Sequence, residues 1–217
     1  MKIICLSDTH NKHQKLNIPE CDILIHAGDF TQKGKPKEAT NFLNWFSQQP
    51  ARYKIFIAGN HDFCLEDQQR SFYEQEAKKL GLIYLNDSDV VIEGLHIWGS
   101  PITPWFHDWA FNRHRGEEIR KHWDLIPTST NILITHGPPM NVLDKTWRGL
   151  RVGCEELSKI LFDEKKFSHL KLHVFGHIHE DRGMETIGQV KFINASSVGL
   201  LPGFLKYYEI DLGDENE

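Results

Sequence analysis

Short runs of apolar, β-branched residues recur along the chain, and each run ends at a small or polar residue. Stretches with the apolar spacing of helices lie between several of these runs. This alternation of strands and helices is typical of α/β proteins. Eight strands are predicted, which is more than one small sheet holds: Lys2–Ser7, Asp22–Ala27, Tyr53–Ala58, His96–Gly99, Asn131–Thr135, Leu172–Phe175, Lys191–Asn194 and Tyr207–Leu212.

The helical spacing predicts three helices, over Pro36–Gln48, Gln68–Leu80 and Glu155–Phe162. The second half of the chain is less regular. Gly188 lies in a predicted hairpin between Glu185–Ile187 and Lys191–Asn194, and Pro202-Gly203 precedes the final strand. We therefore expect mixed sheets, parallel early in the chain and connected by hairpins late.

The length and composition predict a single domain. The chain has 217 residues, of which 40% are hydrophobic, enough for one sizeable core. It contains no internal repeat, low-complexity tract or linker, and only the last residues, Gly213–Glu217, have the composition of a solvated acidic tail. We expect residues 1–217 to fold as one unit.

Charge and cysteine content exclude several classes of partner and compartment. The chain has 25 Lys and Arg and 30 Asp and Glu, which gives a net charge of −5. It contains no basic block that would suggest binding to a long nucleic acid or an anionic membrane. The apolar run before Asp8 is too short for a signal peptide, and no run has membrane length. The cysteines, at positions 5, 21, 64 and 154, show no CxxC spacing. We expect a cytoplasmic protein with reduced thiols.

Polar clusters follow five of the predicted strands. They are Asp8-Thr9-His10, Gly28-Asp29, Gly59-Asn60-His61-Asp62, His136 and Gly176-His177-Ile178-His179. In α/β sheets the carboxyl ends of strands open into the crevice where ligands bind, so separate clusters can converge on one site. Each Asp or Asn alone is equally typical of a turn or a helix cap.

Together the clusters offer carboxylates, an amide oxygen and imidazoles, and no thiolate. This set is too large for one tetrahedral zinc ion, but it suits two cations that share a bridging carboxylate. Two such cations clamp the attacking and leaving oxygens of a phosphoryl transfer, and a water between them has a lowered pKa. The candidate ligands are Asp8, His10, Asp29, Asn60, His136, His177 and His179.

The ordered motifs D-x-H, G-D, G-N-H-D, a lone H and G-H-x-H resemble the calcineurin-like metallophosphoesterase superfamily. The resemblance runs from Asp8 to His179, and longer stretches are similar to the metallophosphoesterase-domain-containing phosphodiesterases: Leu6–His10, His26–Thr31, Ile134–Pro139, Arg151–Cys154 and Val174–Glu180. It implies a four-layer α/β/β/α sandwich of two mixed sheets with a dinuclear metal site at its edge.

The resemblance also implies a role for each residue. Asp8, His10 and His179 would bind the first metal ion, and Asn60, His136 and His177 the second. Asp29 would bridge the two ions. His61, with Asp62 to orient it, would stabilise the transition state and protonate the leaving oxygen. The nitrogen and oxygen donors favour two divalent ions, Mn²⁺ first, with Fe, Zn, Mg, Ni or Co as alternatives.

The leading hypothesis is a metal-dependent phosphodiesterase that hydrolyses small phosphodiesters, cyclic nucleotides among them, by attack of a hydroxide that bridges the metals. A phosphomonoesterase or protein phosphatase is the main alternative, and a nuclease is less favoured without a cationic groove. A non-catalytic interaction scaffold is the other alternative, but it would need neither His61 nor a complete ligand set. The oligomeric state is left open.

Residues outside the clusters are weaker candidates for substrate contact. Asn11, Arg148 and Arg151 are candidate phosphate contacts, although a turn asparagine and solvated arginines explain them equally well. A nucleobase can stack on the aromatic side chains of two irregular stretches, but a packed loop is favoured. These side chains are Trp105, Phe106, Trp109, Phe111 and Trp147. His26, close to Asp29, is a candidate for a hydrogen bond to a metal ligand.

Overall fold

A computed structural model describes residues 1–66, 69–164, 166–198 and 205–213 as two large β-sheets with helices. The strands are β1 (Lys2–Leu6), β2 (Cys21–Ala27), β3 (Ala51–Ile57), β4 (Ile83–Tyr84), β5 (Ser88–Ile92), β6 (Leu95–Ser100), β7 (Thr103–Pro104), β8 (Asn112–Arg113), β9 (Ile132–Thr135), β10 (Leu172–Phe175), β11 (Gly183–Ile187), β12 (Val190–Asn194) and β13 (Tyr208–Asp211). The helices are α1 (Pro36–Ser47), α2 (Arg70–Lys79), α3 (Glu117–Trp123) and α4 (Glu155–Ser158).

The first sheet has the strand order β13-β1-β2-β3-β4, in which β1 to β4 are parallel and β13 is antiparallel. The second has the order β11-β12-β10-β9-β6-β5, with parallel strands in the middle and antiparallel strands at both edges. The expectation of mixed sheets is therefore confirmed. Strands β7 and β8 form a separate small ribbon.

Alternation along the strands explains the layers. In β1, Ile3 and Cys5 pack with Ile132 and Ile134 of β9 in a cluster between the two sheets. Their neighbours Ile4 and Leu6 belong to a second cluster that includes the helices. A strand buried on both faces reads as a continuous apolar run, as the sequence of β1 does.

The helices cover the outer faces of the sheets. Helix α1 buries Ala39, Phe42, Leu43 and Phe46, and the rings of Phe42 and Phe46 meet Phe56 of β3 edge-on. On the second sheet, Trp98 of β6 lies in one cluster with Trp123 of α3. The four-layer α/β/β/α sandwich is thus confirmed.

All eight predicted strands are present, with ends shifted by at most two residues. The hairpin at Gly188 forms between β11 and β12. The helix predicted from Gln68 begins at Arg70, and Gln68 itself lies outside the described residues, as do Pro202-Gly203 and most of the acidic tail. After α4 the chain continues as a π-helical turn over Lys159–Asp163, so the predicted helix is differently wound.

Helix α3 and the hairpin of β5 and β6 were not fully predicted. Helix α3 buries only Ile119 and Trp123, one turn apart, and its other residues are charged or polar, so its apolar signal is weak. Strand β5 is an edge strand with one fully buried residue, Ile92. The turn Glu93-Gly94, with φ of 50° and 79°, joins it to β6 as the left-handed turns of tight hairpins do.

Within the described residues, no disulfide joins the four cysteines, and all four are buried. Among the described helices, none is both long and apolar enough to cross a lipid bilayer.

Candidate metal centre

Five loops carry the predicted site residues to one edge of the sandwich, where the parallel strands of both sheets end. Neighbouring loops are fastened to one another by main-chain hydrogen bonds. The Asp8 amide donates to the Gly28 carbonyl at 2.9 Å, and the His10 amide donates to the Asp29 carbonyl at 3.0 Å. Asp8, His10 and Asp29 have φ of 53°, 41° and 57°, in the left-handed region that non-glycine residues seldom adopt. Such strain persists only where the surroundings fix it, and it clusters at functional sites.

Two glycines allow the loops to come this close. A Cβ added at Gly176 would collide with the Asp8 carboxylate and the Ser7 hydroxyl. A Cβ added at Gly59 would collide with the Asp29 carboxylate. Glycine is therefore required before His177 and before Asn60, because a carboxylate from another strand end occupies the space of a side chain there.

Asp8, His10 and His179 form a first cluster, whose ligand atoms all lie within 4.8 Å of one another. The two imidazoles face each other, with 3.4 Å between their Nε2 atoms, and Nε2 of His179 lies 3.1 Å from Oδ1 of Asp8. His10 donates its Nδ1 proton to the Thr31 carbonyl at 3.1 Å, so its Nε2 presents a lone pair to the cluster. Facing lone pairs and a carboxylate call for a proton or a metal cation between them.

Asp29, His136 and His177 form a second cluster on the same criterion. The Asn60 side chain joins it, because its Oδ1 atom lies 2.9 Å from Nε2 of His136. His136 donates its Nδ1 proton to the Ala27 carbonyl at 2.9 Å, which leaves Nε2 turned towards Asn60 and Asp29. A carbonyl that holds the far nitrogen in this way is the usual partner of a metal-ligating histidine.

The Asp29 carboxylate lies between the two clusters. Its Oδ2 atom is 3.4 Å from Nε2 of His136 and 4.0 Å from Nε2 of His10. The side chain is 2% exposed, and its other oxygen accepts the His61 amide at 2.8 Å. Asp29 is therefore placed where one carboxylate can serve both clusters.

Burial and charge act in opposite directions on these groups. Burial raises the pKa of the Asp8 carboxyl, but the imidazoles around it, His179 first, outweigh this and hold the pKa well below its ordinary range. The same balance, with His136 first, lowers the pKa of Asp29. Burial lowers the pKa of His136, but the Asp29 charge outweighs it and raises the value to about 9. The two buried carboxylates thus stay ionised beside cations.

The remaining imidazoles differ in how readily they take a proton. Burial lowers the pKa of His10, and it lowers that of His177 to about 4. Burial also acts against a charge on His179, but the Asp8 carboxylate outweighs it and raises the pKa. Neutral imidazoles and ionised carboxylates are the forms that bind divalent metals. The donor types, their convergence and the carbonyl-anchored histidines all fit two divalent cations.

His61 and Asp62, the predicted acid and its orienting partner, are not in direct contact through their side chains. The ring of His61 is instead held by the Gln32 carbonyl, to which Nδ1 donates at 2.9 Å. Its Nε2 atom lies 3.9 Å from Oδ2 of Asp29. The expectation that Asp62 orients His61 stays a prediction.

Asp62 ties the loops together. Its buried carboxylate accepts the amides of Asp29 at 2.9 Å, Thr31 at 2.9 Å and Gly59 at 2.8 Å, and the Thr31 hydroxyl at 2.7 Å. Burial, with the Asp29 charge adding to it, raises the pKa of Asp62. Asp62 therefore positions the main chain of two strand ends.

The three predicted phosphate contacts differ in their partners. Arg151 donates to the buried carboxylate of Asp144 at 2.7 Å, which also accepts the Gly153 amide at 3.0 Å. Arg148 is exposed, with its guanidinium 4.8 Å from the centre of the Trp147 ring. Asn11 is exposed with φ of 62°. Sequence reasoning missed Asp144, because a single loop aspartate gives no signal of burial.

The aromatic residues divide into two groups. Phe111 is buried in the core, so the packed-loop alternative holds for it. Trp105, Phe106 and Trp147 are more than half exposed. Trp109 is half-buried, and its ring lies against the ring of His61 with 4.3 Å between centroids.

His26 contacts the site through a neighbour of the ligands. It accepts the Gly28 amide on Nδ1 at 3.3 Å, so its Nε2 proton is donated to the Thr9 hydroxyl at 3.0 Å. Thr9 lies between Asp8 and His10, and His26 is buried among phenylalanine rings, of which Phe42 is 4.9 Å away. The expected hydrogen bond to a ligand itself does not form.

Comparisons with known proteins agree with this geometry. Metallophosphoesterase domain-containing protein 1 of Homo sapiens is 40% identical over 216 residues, which cover 90% of this chain and 65% of that protein. A 3',5'-cyclic-nucleotide phosphodiesterase of Nostoc sp. is 26% identical over 75% of this chain and 58% of its own length. The chain thus spans less than two thirds of the human relative.

Solved structures show the same fold. The crystal structure of TT1561 of Thermus thermophilus superposes with a TM-score of 0.53 over 88% of this chain and 87% of its own, at 12% identity. The family model described as calcineurin-like phosphoesterase matches residues 1–181, which include every residue of the two clusters. With its two-sheet sandwich and paired clusters of ligand atoms, the chain belongs to the calcineurin-like phosphoesterase family.

Proposed function

We propose that this protein is a phosphodiesterase that uses two divalent metal ions to hydrolyse small phosphodiesters, cyclic nucleotides among them. The observation that carries the proposal is the position of Asp29, whose Oδ2 atom faces both clusters. In the proposed assignment Asp8, His10 and His179 would hold one ion, Asn60, His136 and His177 would hold the other, and Asp29 would be shared by both. Because both sheets supply ligands, we also propose that residues 1–217 act as a single domain.

When bound, the two ions supply a hydroxide nucleophile and neutralise charge on the phosphoryl oxygens. The chain's own residues do the rest. His61 turns Nε2 towards the centre, since its Nδ1 proton is held by the Gln32 carbonyl. In its doubly protonated form the ring would also carry a proton on Nε2, which it would donate to the leaving oxygen. Asp62 fixes the loops that carry Asp29 and His61, so the donor and the bridging carboxylate keep their separation.

The preference for diesters over monoesters is supported by charge. A diester carries one negative charge where a monoester carries up to two, and extra charge needs extra cations. Arg151 is already paired with Asp144, and Arg148 lies over Trp147. The name of the Nostoc relative supports the same substrate class.

The metal and the compartment are part of the proposal. Nitrogen and oxygen donors without thiolate suit Mn²⁺, which we propose as the working metal. A reducing, cytoplasmic setting accords with four buried cysteines that no disulfide joins, all within the described residues.

The test is hydrolysis of bis-p-nitrophenyl phosphate and p-nitrophenyl phosphate by metal-stripped protein before and after addition of Mn²⁺. Asp29→Ala is assayed in parallel, with Asp89→Ala as the matched control, because Asp89 is an exposed carboxylate on β5. We expect Mn²⁺ to restore diester cleavage well above monoester cleavage, and Asp29→Ala to abolish it.

Other outcomes separate the alternatives. Faster cleavage of the monoester would support a phosphomonoesterase or protein phosphatase. A protein that takes up two equivalents of Mn²⁺ and cleaves neither ester, nor a panel of cyclic nucleotides, would support the interaction scaffold and refute the proposed phosphodiesterase.

A further inference from the structure

The ring of His61 has two aromatic neighbours. The indole of Trp109 lies with its centroid 4.3 Å away and its plane tilted by 40°. The ring of His10 meets it edge-on at 4.7 Å. His61 is only 20% exposed, although it lies at the surface edge of the sandwich.

Trp109 is itself held in place by the centre it borders. The amide of the next residue, Ala110, donates to the main-chain carbonyl of Asn60 at 3.1 Å. On its far side Trp109 contacts the ring of Phe63 at 5.9 Å. The indole is therefore fastened to the same loop that carries Asn60 and His61.

The hydrogen bond from Nδ1 to the Gln32 carbonyl does not fix the His61 ring by itself. It restrains the ring at one atom, but small rotations about the side-chain bonds would still aim Nε2 away from Asp29. The tilted indole beside the ring limits these rotations through packing.

We propose that Trp109 is a positioning residue that holds His61 in line with the leaving oxygen, and that it thereby sets how well the protein cleaves esters with poor leaving groups. The inference rests on the proposed function. Trp109 acts through His61, so its contribution depends on how much protonation the leaving group needs.

Leaving groups separate this role from a general structural one. A p-nitrophenolate is a stabilised anion and departs with little help, whereas a phenolate departs faster when it is protonated. Loss of Trp109 should therefore slow cleavage of diphenyl phosphate by about tenfold, because a misaligned general acid keeps part of its contribution to the rate. Cleavage of bis-p-nitrophenyl phosphate should slow far less. The KM for either ester should change little.

The experiment compares Trp109→Ala and Trp109→Phe with the wild type on these two diesters. Trp45→Ala is the matched control, because Trp45 is a half-buried tryptophan on α1, tilted by 41° against His13 at 5.0 Å and remote from the centre. A second pair, His61→Ala and the double variant His61→Ala/Trp109→Ala, tests whether the two residues act as a unit. We expect Trp109→Phe to restore most of the rate, and Trp109→Ala to have no effect when His61 is already absent.

A readout without metal or substrate tests the geometry directly. In the metal-free protein an indole this close shifts the ring protons of His61 in the NMR spectrum, and the signal is assigned by its loss in His61→Ala. We expect the shift to be lost in Trp109→Ala and kept in Trp45→Ala. Unchanged His61 signals in Trp109→Ala would overturn the proposed contact.

The proposed function and the further inference can fail separately. If the wild type cleaves no phosphoester, the proposed function fails, while the NMR comparison still decides whether Trp109 positions His61. If the wild type is active but Trp109→Ala slows cleavage of both esters by the same factor, Trp109 has a structural role only and the inference is wrong. The inference is also wrong if Trp109→Ala slows cleavage as much in the His61→Ala background as in the wild type.

Discussion

Two sets of loops meet at the carboxyl edge of the sandwich, and they are built differently. The strand-end loops, residues 8–11, 28–31, 59–62, 136–137 and 176–179, are hydrogen-bonded to one another. Five of the seven candidate ligands that they carry are buried, and His177 and His179 are half-buried. The outer loops, residues 103–116 and 141–153, are fixed at their bases and expose Trp105, Phe106, Trp147 and Leu150 at their tips. The difference separates a buried, hydrogen-bonded part of this edge from an exposed part. Under the proposed function the first part would do the chemistry and the second would contact the substrate.

The bases of the outer loops are nevertheless well held. Arg115 of one loop donates to the Gly153 carbonyl of the other at 2.9 Å. The amide of Lys145 donates to Asp181 at 2.7 Å, two residues beyond His179. The outer loops are therefore anchored near the metal-ligand clusters by hydrogen bonds, while their tips are exposed, as expected of binding loops on a rigid scaffold.

The largest effect is expected from a change in a strand-end loop. In His136→Asn the second cluster loses an imidazole, so we expect bound Mn²⁺ to fall from two equivalents to one and diester cleavage to fall by more than about 100-fold. Metal content by mass spectrometry and hydrolysis rates check this. His96→Asn, a change at a half-buried histidine of β6 that belongs to neither cluster, should leave both values unchanged. Two equivalents of metal in His136→Asn would contradict the assignment.

The tight approach of the strand ends is tested next with two glycines that both lack positive φ. A Cβ at Gly59 would lie 2.5 Å from the Asp29 amide nitrogen, whereas a Cβ at Gly137 would meet its nearest atom, on Thr103, at 3.5 Å. Gly59→Ala should cost about 3 kcal/mol of unfolding free energy, since overpacking of a rigid site forces the backbone to shift. Gly137→Ala should cost little. Equal losses of unfolding free energy in denaturant titrations would refute the close approach of the strand-end loops at Gly59.

Sequence reasoning succeeded where the fold is regular. The parallel strands of four or more residues were predicted, because each is a short apolar run that ends at a glycine or a polar residue, whereas the two-residue strands β4, β7 and β8 were missed. The ends of parallel strands in one sheet lie at the same edge. The clusters at Asp8, Asp29 and Asn60 therefore come together without any knowledge of the loops. Helix α3 escaped prediction because its two buried residues, Ile119 and Trp123, are too few to give a period.

Contacts made by irregular loops were not accessible from the sequence. Nothing in the order of residues indicates that Trp109 lies against His61, that Arg151 pairs with Asp144, or that the main-chain carbonyl of Gln32 holds an imidazole. Each of these depends on the path of a loop that no periodicity fixes. A resemblance between motifs transfers the ligands but not the side chains that surround them.

A smaller effect is expected at the base of the outer loops. The buried Asp144 carboxylate accepts hydrogen bonds from Arg151 and from the amides of Asn141 and Gly153. Asp144→Asn replaces one of its two acceptor oxygens with an NH₂ donor. We expect a loss of about 2 kcal/mol of stability with metal content unchanged, and a raised KM. Asp211→Asn, at a carboxylate 82% exposed, is the control. Loss of metal in Asp144→Asn would show that the two sets of loops are not separable.

The acid stability of the protein depends on a buried histidine beside the strand-end loops. Burial lowers the pKa of His173 to about 3, and its Nε2 proton is donated to the Thr135 hydroxyl at 2.8 Å. Between pH 6.5 and about 3, His173 is protonated in the unfolded chain but stays neutral in the folded protein. The free energy of unfolding is therefore highest above pH 6.5 and decreases as the pH falls towards 3. From pH 7 to 5 the loss is about 2 kcal/mol.

The substitution His173→Gln keeps an N–H donor and removes the titration. Its unfolding free energy should therefore fall less than that of the wild type between pH 7 and 5, by about 2 kcal/mol. Urea titrations at the two pH values, on metal-free protein, measure this difference. His169→Gln serves as the control, because His169 is exposed. Parallel losses in wild type and His173→Gln would show that His173 does not carry the pH dependence.

The smallest effect is expected at the tip of an outer loop. Arg148→Ala removes an exposed guanidinium that lies over Trp147. As a contact of the substrate phosphate it would form an exposed ion pair, which contributes little binding energy. The KM for a diester should therefore rise by about two- to threefold, with kcat unchanged. Arg52→Ala is matched to it, since Arg52 lies over Tyr53 at 5.0 Å on β3, away from the site. The rise should shrink in high salt, because exposed charges are screened. A fall in kcat instead would place Arg148 among the residues that act on the reacting phosphate, and the division between rigid chemistry and exposed binding would then have to be redrawn at this loop.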